Sequence, residues 1–293
     1  MQIDNLSWFP GHMTKTKRMI SAEIKNMDAV CEIVDARIPM SSRNPDVDEL
    51  TAGKPRLIVL NRADQADPAE TRRWTRYFRT QGYAVLEANA KNGVGTEKFS
   101  AAVRDLLRDK LAAAAARGQV GKVVRVMVLG VPNVGKSTFI NKVAGRKSAK
   151  AQNRPGVTRG KQWITVDNGL ELLDTPGILW PKFEDQSVGL NLAFTGAVKD
   201  DIMDLETLAS HLMKVLAERY PDAIQGRYKI EIPDQFTEWE LLEAAGRKRG
   251  FLISGGEVDT ERMSRILLEE YRSGKLGRFT LEAPDDQKGG DGK

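Results

Sequence analysis

The 293-residue chain carries 45 lysines and arginines against 40 aspartates and glutamates, a mild positive excess that permits an anionic partner without demanding one. Cys31 is the only cysteine, which excludes a disulfide framework and a cysteine-built metal cluster. No apolar run approaches the roughly 20 residues of a membrane span, and the opening MQIDNLSWFPGHM lacks the charged-then-apolar layout of a secretory leader, so a cytoplasmic protein that meets no membrane is expected.

The length allows two domains, each with its own core. Residues 27–34 (MDAVCEIV) and 56–60 (RLIVL) are short apolar runs rich in β-branched residues and bounded by turn signals, and each predicts a buried strand. PAETRRWTRYFRTQG predicts a helix that starts at Pro68 and stops at Gly82. YAVLEANA reads as the next strand, and TEKFSAAVRDLLRDKLAAAAARG as one long helix running out at Gly118. RGQVGK, residues 117–122, is a basic, glycine-containing joint; beyond it KVVRVMVLG is a strand, KSTFINKVAG a helix, and WITVDNGLELL (163–173) a hairpin whose second arm enters Asp174. Strands alternating with helices imply an α/β fold, a mostly parallel sheet with helices on both faces.

After about residue 184 the character changes. LETLASHLMKVLAERY, EWELLEAAGRKRG and DTERMSRILLEEYRSG carry apolar residues at helical spacing, with Asp259 and Thr260 as candidate caps for the last. The expected division is an α/β domain over 1–183, a smaller helical domain over 184–282, and a polar, glycine-rich tail over 283–293 with the composition of a disordered segment.

Chemistry concentrates at GVPNVGKST, residues 130–138. Gly130, four residues, then Gly135, Lys136 and Ser137 form the phosphate-cradling P-loop pattern, here between a strand and a helix. In that reading the loop, with Val134, Gly135 and Thr138, holds the phosphates; Lys136 contacts the β- and γ-phosphates, and the Ser137 hydroxyl ligates Mg²⁺. LLDTPG (172–177) adds Asp174 for a magnesium-bound water and the Gly177 N–H for the γ-phosphate. NRPGVTRG between them offers Thr158, a Mg²⁺ ligand when the γ-phosphate is present.

Base choice is read from VLNRAD, residues 59–64. A carboxylate that accepts from both N1–H and the exocyclic amino group selects guanine, and Asn61 and Asp64 stand just past a strand in the form of the N-K-x-D element, with Arg62 where lysine is usual. EANAKNG supplies Asn89, Ala90 and Lys91, with the Ala90 N–H and Lys91 approaching the guanine O6 and ring face. These base-reading elements ordinarily follow the P-loop; here they precede it. The order is circularly permuted, with the joint at RGQVGK, and the γ-phosphate sensor leads straight into the helical domain.

With WFPGHM (8–13), DAR.P.SSRNP (35–45), NRAD, GVPNVGKST, RPGVT, DTPGILWPKFED (174–185), GRKRG and GKLGR in this order, the chain resembles the circularly permuted GTPases, in particular the YlqF-like family of ribosome biogenesis GTPases. The resemblance spans nearly the whole chain. It implies a GTP hydrolase that binds GTP and GDP and acts in late assembly of the large ribosomal subunit, with a C-terminal helical domain that contacts rRNA. Ile178 stands where many small GTPases carry a water-orienting glutamine, and the resemblance implies that His12 of WFPGHM takes this catalytic role beside Lys136. His12 read alone is equally a side chain in an RNA-facing N-terminal segment. Asn133 matches the P-loop asparagine that holds K⁺ in potassium-dependent GTPases; the alternative is that it braces the loop.

From Lys142 to Lys161 the chain holds seven basic residues and no acidic one, which favours contact with RNA phosphates. Lys15, Lys17 and Arg18, and Arg247, Lys248 and Arg249, are further candidates. The expected partner is a precursor of the large ribosomal subunit and its rRNA, with no DNA and a monomer off the ribosome. The competing readings are an rRNA-binding module whose nucleotide is structural, and a signalling switch with protein partners.

Overall fold

The computed structural model describes residues 11–119, 121–145, 162–167, 169–179, 185–198 and 204–284, with the side chains of residues 11–13 left out. The chain forms two compact units, one of Met1–Glu184 with Glu282–Lys293 and the other of Asp185–Leu281.

The first unit is built on a six-stranded sheet of β1 (Ala29–Asp35), β2 (Arg56–Asn61), β3 (Ala84–Glu87), β4 (Val124–Gly130), β5 (Gln162–Asp167) and β6 (Leu170–Asp174) in the order β3-β2-β1-β4-β6-β5. Every pairing is parallel except the β5–β6 hairpin at one edge. Every residue of β1 and β2 is buried, as a parallel sheet covered on both faces requires. Glu32 of β1 lies inside this core because Arg43 and Arg56 donate to its carboxylate at 3.1–3.3 Å. The helices are α1 (Gly11–Glu23), α2 (Asp46–Leu50), α3 (Pro68–Thr80), α4 (Phe99–Leu106), α5 (Arg108–Ala116) and α6 (Lys136–Ala144).

Helix α3 begins as its sequence dictates: the Asp67 carboxylate accepts from the N–H groups of Ala69 and Glu70, and Pro68 takes the first turn. The single helix expected over 96–118 is instead broken at Leu107, which leaves helical geometry to bury its side chain. The alanine-rich run beyond it has helix propensity but almost no apolar face, and only Ala114 of α5 is buried.

Because β1, β2, β4 and β6 run parallel, their carboxyl ends share one edge of the sheet. Asp35, Asn61, Gly130 and Asp174 are the last residues of those strands. That edge is where the permuted motifs meet, whatever their order in the chain.

The second unit consists of α7 (Gln186–Phe194), α8 (Leu205–Arg219), α9 (Pro221–Tyr228), α10 (Glu238–Lys248) and α11 (Thr260–Ser273). Leu208, Leu212, Met213 and Leu216 of α8 are buried, as are Leu241 and Leu242 of α10 and Met263, Leu267 and Leu268 of α11. Asp259 caps α11 through the Arg262 N–H, and Thr260 is the first helical residue. Thr237 and Glu240 form a capping box on α10. Residues 283–284 are not a loose tail start: Glu282 belongs to the first unit and Pro284 is buried. Residues 285–293 lie outside the described residues.

Within the second unit Glu270 accepts from Arg227, from the Tyr228 hydroxyl at 3.0 Å and from Arg249 at 3.1 Å. Burial pushes its carboxyl up, but the hydrogen bonds and charges of Arg227, Tyr228 and Arg249 outweigh it and hold the group below the usual glutamate range. A carboxylate depressed in the folded state stabilises above its unfolded pKa and loses that contribution as pH falls through the folded value. Glu270→Ala should therefore cost about 3 kcal/mol near neutrality, with the difference from wild type shrinking below the ordinary glutamate range. Denaturant titrations at a series of pH values check both.

Candidate functional site

Two residues of the loop leaving β4 adopt left-handed backbone, Asn133 at φ 58° and Gly135 at φ 92°. Such turns aim successive N–H groups into one concavity. Helix α6 starts immediately after with no side chain capping its first turn, so its N-terminal N–H groups face the same concavity, as an anion site needs. Asparagine tolerates left-handed backbone better than most residues, which accounts for Asn133 without a ligand. Gly135 has a second reason: a Cβ there would stand 2.4 Å from the Asn61 side-chain nitrogen.

Asn61 is the junction of the site. Its buried side-chain amide donates to the Val134 carbonyl at 2.8 Å, and its Oδ1 accepts from the Ala90 N–H at 3.0 Å. Residues 73 and 29 positions away in sequence are thereby fixed to one side chain. The Ala90 N–H, expected at the guanine O6, is in this structure held by Asn61. Arg62, left-handed at φ 60°, donates to the Asn133 carbonyl at 2.9 Å and lies 3.6 Å from Asp35. A guanidinium thus spans from the base-reading strand to the P-loop.

Asp64 is exposed two residues beyond. Asn89 builds the adjoining turn, accepting from the Lys91 and Asn92 N–H groups at 2.9 and 3.3 Å, and Lys91 itself is exposed. Asp35 was not among the residues expected at the site. Burial pushes its carboxyl up, yet the charge and hydrogen bonds of Arg37 and the charge of Arg62 hold it below the usual range. The short D-x-R spacing was the available signal, since Arg37 donates back to Asp35 at 2.8–3.0 Å.

On the phosphate side Lys136 and Asp174 form an ion pair, both almost wholly buried. Burial lowers the Lys136 pKa and Asp174 opposes the shift without cancelling it. The lysine expected on phosphate and the carboxylate expected on magnesium hold each other here. Ser137 adjoins this pair, and the hydroxyl and carboxylate form a hard-oxygen donor set suited to Mg²⁺, which takes one or two protein ligands and completes its shell with phosphate and water. Gly177 packs against the P-loop, since a Cβ would meet the Pro132 nitrogen at 2.9 Å. The Ile178 N–H donates to the Gly130 carbonyl at 3.1 Å.

The Ile178 side chain does not face the site. It is buried with Ile20 of α1, Met27, Val30, Val47, Met127, Leu129 and Leu173. The helix that carries His12 is thus packed through Ile20 into the same cluster as the sensor segment. The His12 side chain and Thr158 lie outside the described residues, as does the basic run from 146 to 161. Among the other basic candidates Lys15, Arg18, Arg247 and Lys248 are exposed, whereas Lys17 pairs with Asp46 and Arg249 with Glu270.

Residues 125–226 match the family described as 50S ribosome-binding GTPases. The chain is 46% identical over 282 residues to ribosome biogenesis GTPase A of Bacillus cereus, covering 96% of this chain and 95% of that protein. Two solved structures are similar at 28% identity over 92% of this chain: GDP-bound TM YlqF, covered over its full length with a TM-score of 0.66, and GNP-bound YlqF from T. maritima, covered over 99% with a TM-score of 0.64.

Gly135→Ala adds a left-handed alanine and a clash with the Asn61 amide at once. It should weaken guanine nucleotide binding by about tenfold or more. Titration of a fluorescent GDP analogue measures this, and the thermal midpoint of the free protein should fall far less than the affinity.

Proposed function

The chain belongs to the ribosome biogenesis GTPase A family and is a GTP hydrolase with a role in ribosome assembly; from that premise we propose that its GTP form binds a precursor of the large subunit through rRNA and that hydrolysis releases it. The observation that carries the catalytic part is the pair of bonds from Asn61 to Val134 and Ala90, which sets the base-reading turns against the phosphate loop.

In this reading Asp64 accepts from the guanine edge, and Arg62 and Lys91 cover the base. The P-loop amides of Val134 to Thr138 wrap the phosphates. Lys136 leaves Asp174 for the β- and γ-phosphates, so the buried ion pair is exchanged for a buried lysine–phosphate pair and a freed carboxylate. Ser137 and, through a water, Asp174 would hold Mg²⁺, which when bound would supply charge neutralisation at the phosphates. Water attacks the γ-phosphorus in line as the bond to the bridging oxygen breaks; GDP departs with the electron pair, and the water's proton passes to a phosphate oxygen. The Gly177 N–H reads the γ-phosphate, and Thr158 joins the metal only in that state. His12 orients the water, a task Ile178 cannot perform from inside the hydrophobic cluster. Asn133 would hold K⁺, which would supply there the positive charge that other GTPases take from an arginine. Turnover is slow until the particle places these groups.

The RNA partner is supported by the acid-free basic run 142–161 and by exposed Lys15, Arg18, Arg247 and Lys248. The protein acts as a monomer in the cytoplasm. A second reading, an rRNA-binding module with a structural nucleotide, is favoured by the burial of Ile178, which leaves no water-orienting side chain on the sensor.

Hydrolysis by the purified protein in potassium buffer, with and without isolated large subunits, tests the proposal. Stimulation by the particle, weaker in sodium, is expected. Lys136→Ala should lower turnover by about 100-fold or more, and His12→Ala should lose the stimulation while retaining particle binding. Particle binding without stimulation of the wild type would favour the second reading.

A further inference from the structure

The segment from Ala36 to Asn44 lies beside the nucleotide site without belonging to it. Its start is tied to the site by Asp35, which faces Arg62 and through it the P-loop carbonyl of Asn133. Its end is tied to the sensor by Asn44, whose side-chain amide donates to the Ile178 carbonyl at 3.5 Å, with Val47 packed in the Ile178 cluster. Inside the segment the Asp35 N–H donates to the Ser42 hydroxyl at 2.9 Å, and Arg37 is buried on Asp35.

The apex of this loop is held by a residue 241 positions away. Glu282 accepts from the Met40 N–H, from the Ser41 N–H at 3.0 Å and from the Ser41 hydroxyl at 2.6 Å. Its carbonyl accepts from the indole N–H of buried Trp74 at 3.1 Å. The carboxylate is buried, and charge-assisted bonds to two backbone N–H groups are among the stronger ones available. Glu282 is also the first residue of the chain back in the α/β unit after the helical unit. The chain thus enters the helical unit after the sensor segment and, on leaving it, reaches at Glu282 a loop fastened to that same sensor.

We infer that Glu282 is a positioning residue, a latch through which the loop 36–44 couples the C-terminal anchor of the helical unit to the nucleotide held at the sensor. The γ-phosphate draws on the Gly177–Ile178 backbone, Asn44 follows Ile178, and the apex N–H groups of Met40 and Ser41 change their hold on the Glu282 carboxylate. Coupling of this kind is reciprocal, so a latch sensitive to the nucleotide also contributes to discrimination between GTP and GDP. The inference rests on the reading of Gly177 as the γ-phosphate contact and is independent of the ribosomal partner.

Hydrogen exchange at Met40 and Ser41 tests it, with the full-length protein saturated by GDP or by a non-hydrolysable GTP analogue. Protection at these two amides should differ by about fivefold or more between the two states. In Glu282→Ala the difference should vanish, and the ratio of GDP to GTP-analogue affinity should shift by a similar factor. Ser41→Ala, which removes one bond and leaves the carboxylate paired to the backbone, should shift the same ratio in the same direction by a smaller amount, and serves if the first variant fails to fold. A purely structural role changes both affinities alike. Equal exchange under the two nucleotides, or an unchanged affinity ratio in the folded variants, overturns the inference.

Discussion

One buried amide organises the site. Asn61 cannot be solvated where it lies, so both ends of its side chain must be matched inside the protein, and they are matched by the P-loop and by the turn at Ala90. Losing either contact leaves a buried polar group unpaired at a cost of roughly 1–3 kcal/mol. The demand keeps the turns after β2 and β3 and the loop after β4 in register although Asn61 and Val134 lie 73 positions apart in the chain. Gly135 belongs to the same constraint, because only a residue without a Cβ lets the amide come so close.

That constraint explains why a permuted order is tolerable. A parallel sheet collects the carboxyl ends of its strands at one edge irrespective of which strand comes first, and the chain enters β4 from its opposite, amino end. Permutation nevertheless has a consequence. The DTPG segment is followed directly by the helical unit, and the chain returns at Glu282 to a loop that touches the same segment. An enzyme with the usual order would end its sensor inside the sheet domain; here the sensor is also a tether.

Much of this was legible in the amino-acid sequence, and the rest was not, for identifiable reasons. The largely apolar runs of β1, β2 and β4 read as buried strands, and the P-loop and DTPG motifs are where the sequence puts the phosphate side. Helix α1 was missed because only Thr16 and Ile20 of its described side chains are fully buried, too few for a periodic signal. Helix α5 was misjudged because alanine carries helix propensity but no packing direction. The Lys136–Asp174 pair was invisible because each residue, read alone, already had a phosphate or magnesium partner. Asp35 was overlooked although its partner Arg37 lies in the same short motif, and Glu282 because its partners are set by tertiary contact and it lies where composition reads as the start of a tail.

The central claim, that residues preceding the P-loop read the base bound behind it, rests on Asp64. Guanine presents two donors to a carboxylate at that edge, whereas xanthine has a carbonyl in place of the amino group and is matched by an amide instead. The most direct measurement is the affinity of Asp64→Asn for GDP and for xanthosine diphosphate. The account predicts a loss of about 100-fold for GDP, two charge-assisted bonds being lost, together with a gain for the xanthine nucleotide. Undiminished GDP affinity with no gain for xanthosine diphosphate would contradict it.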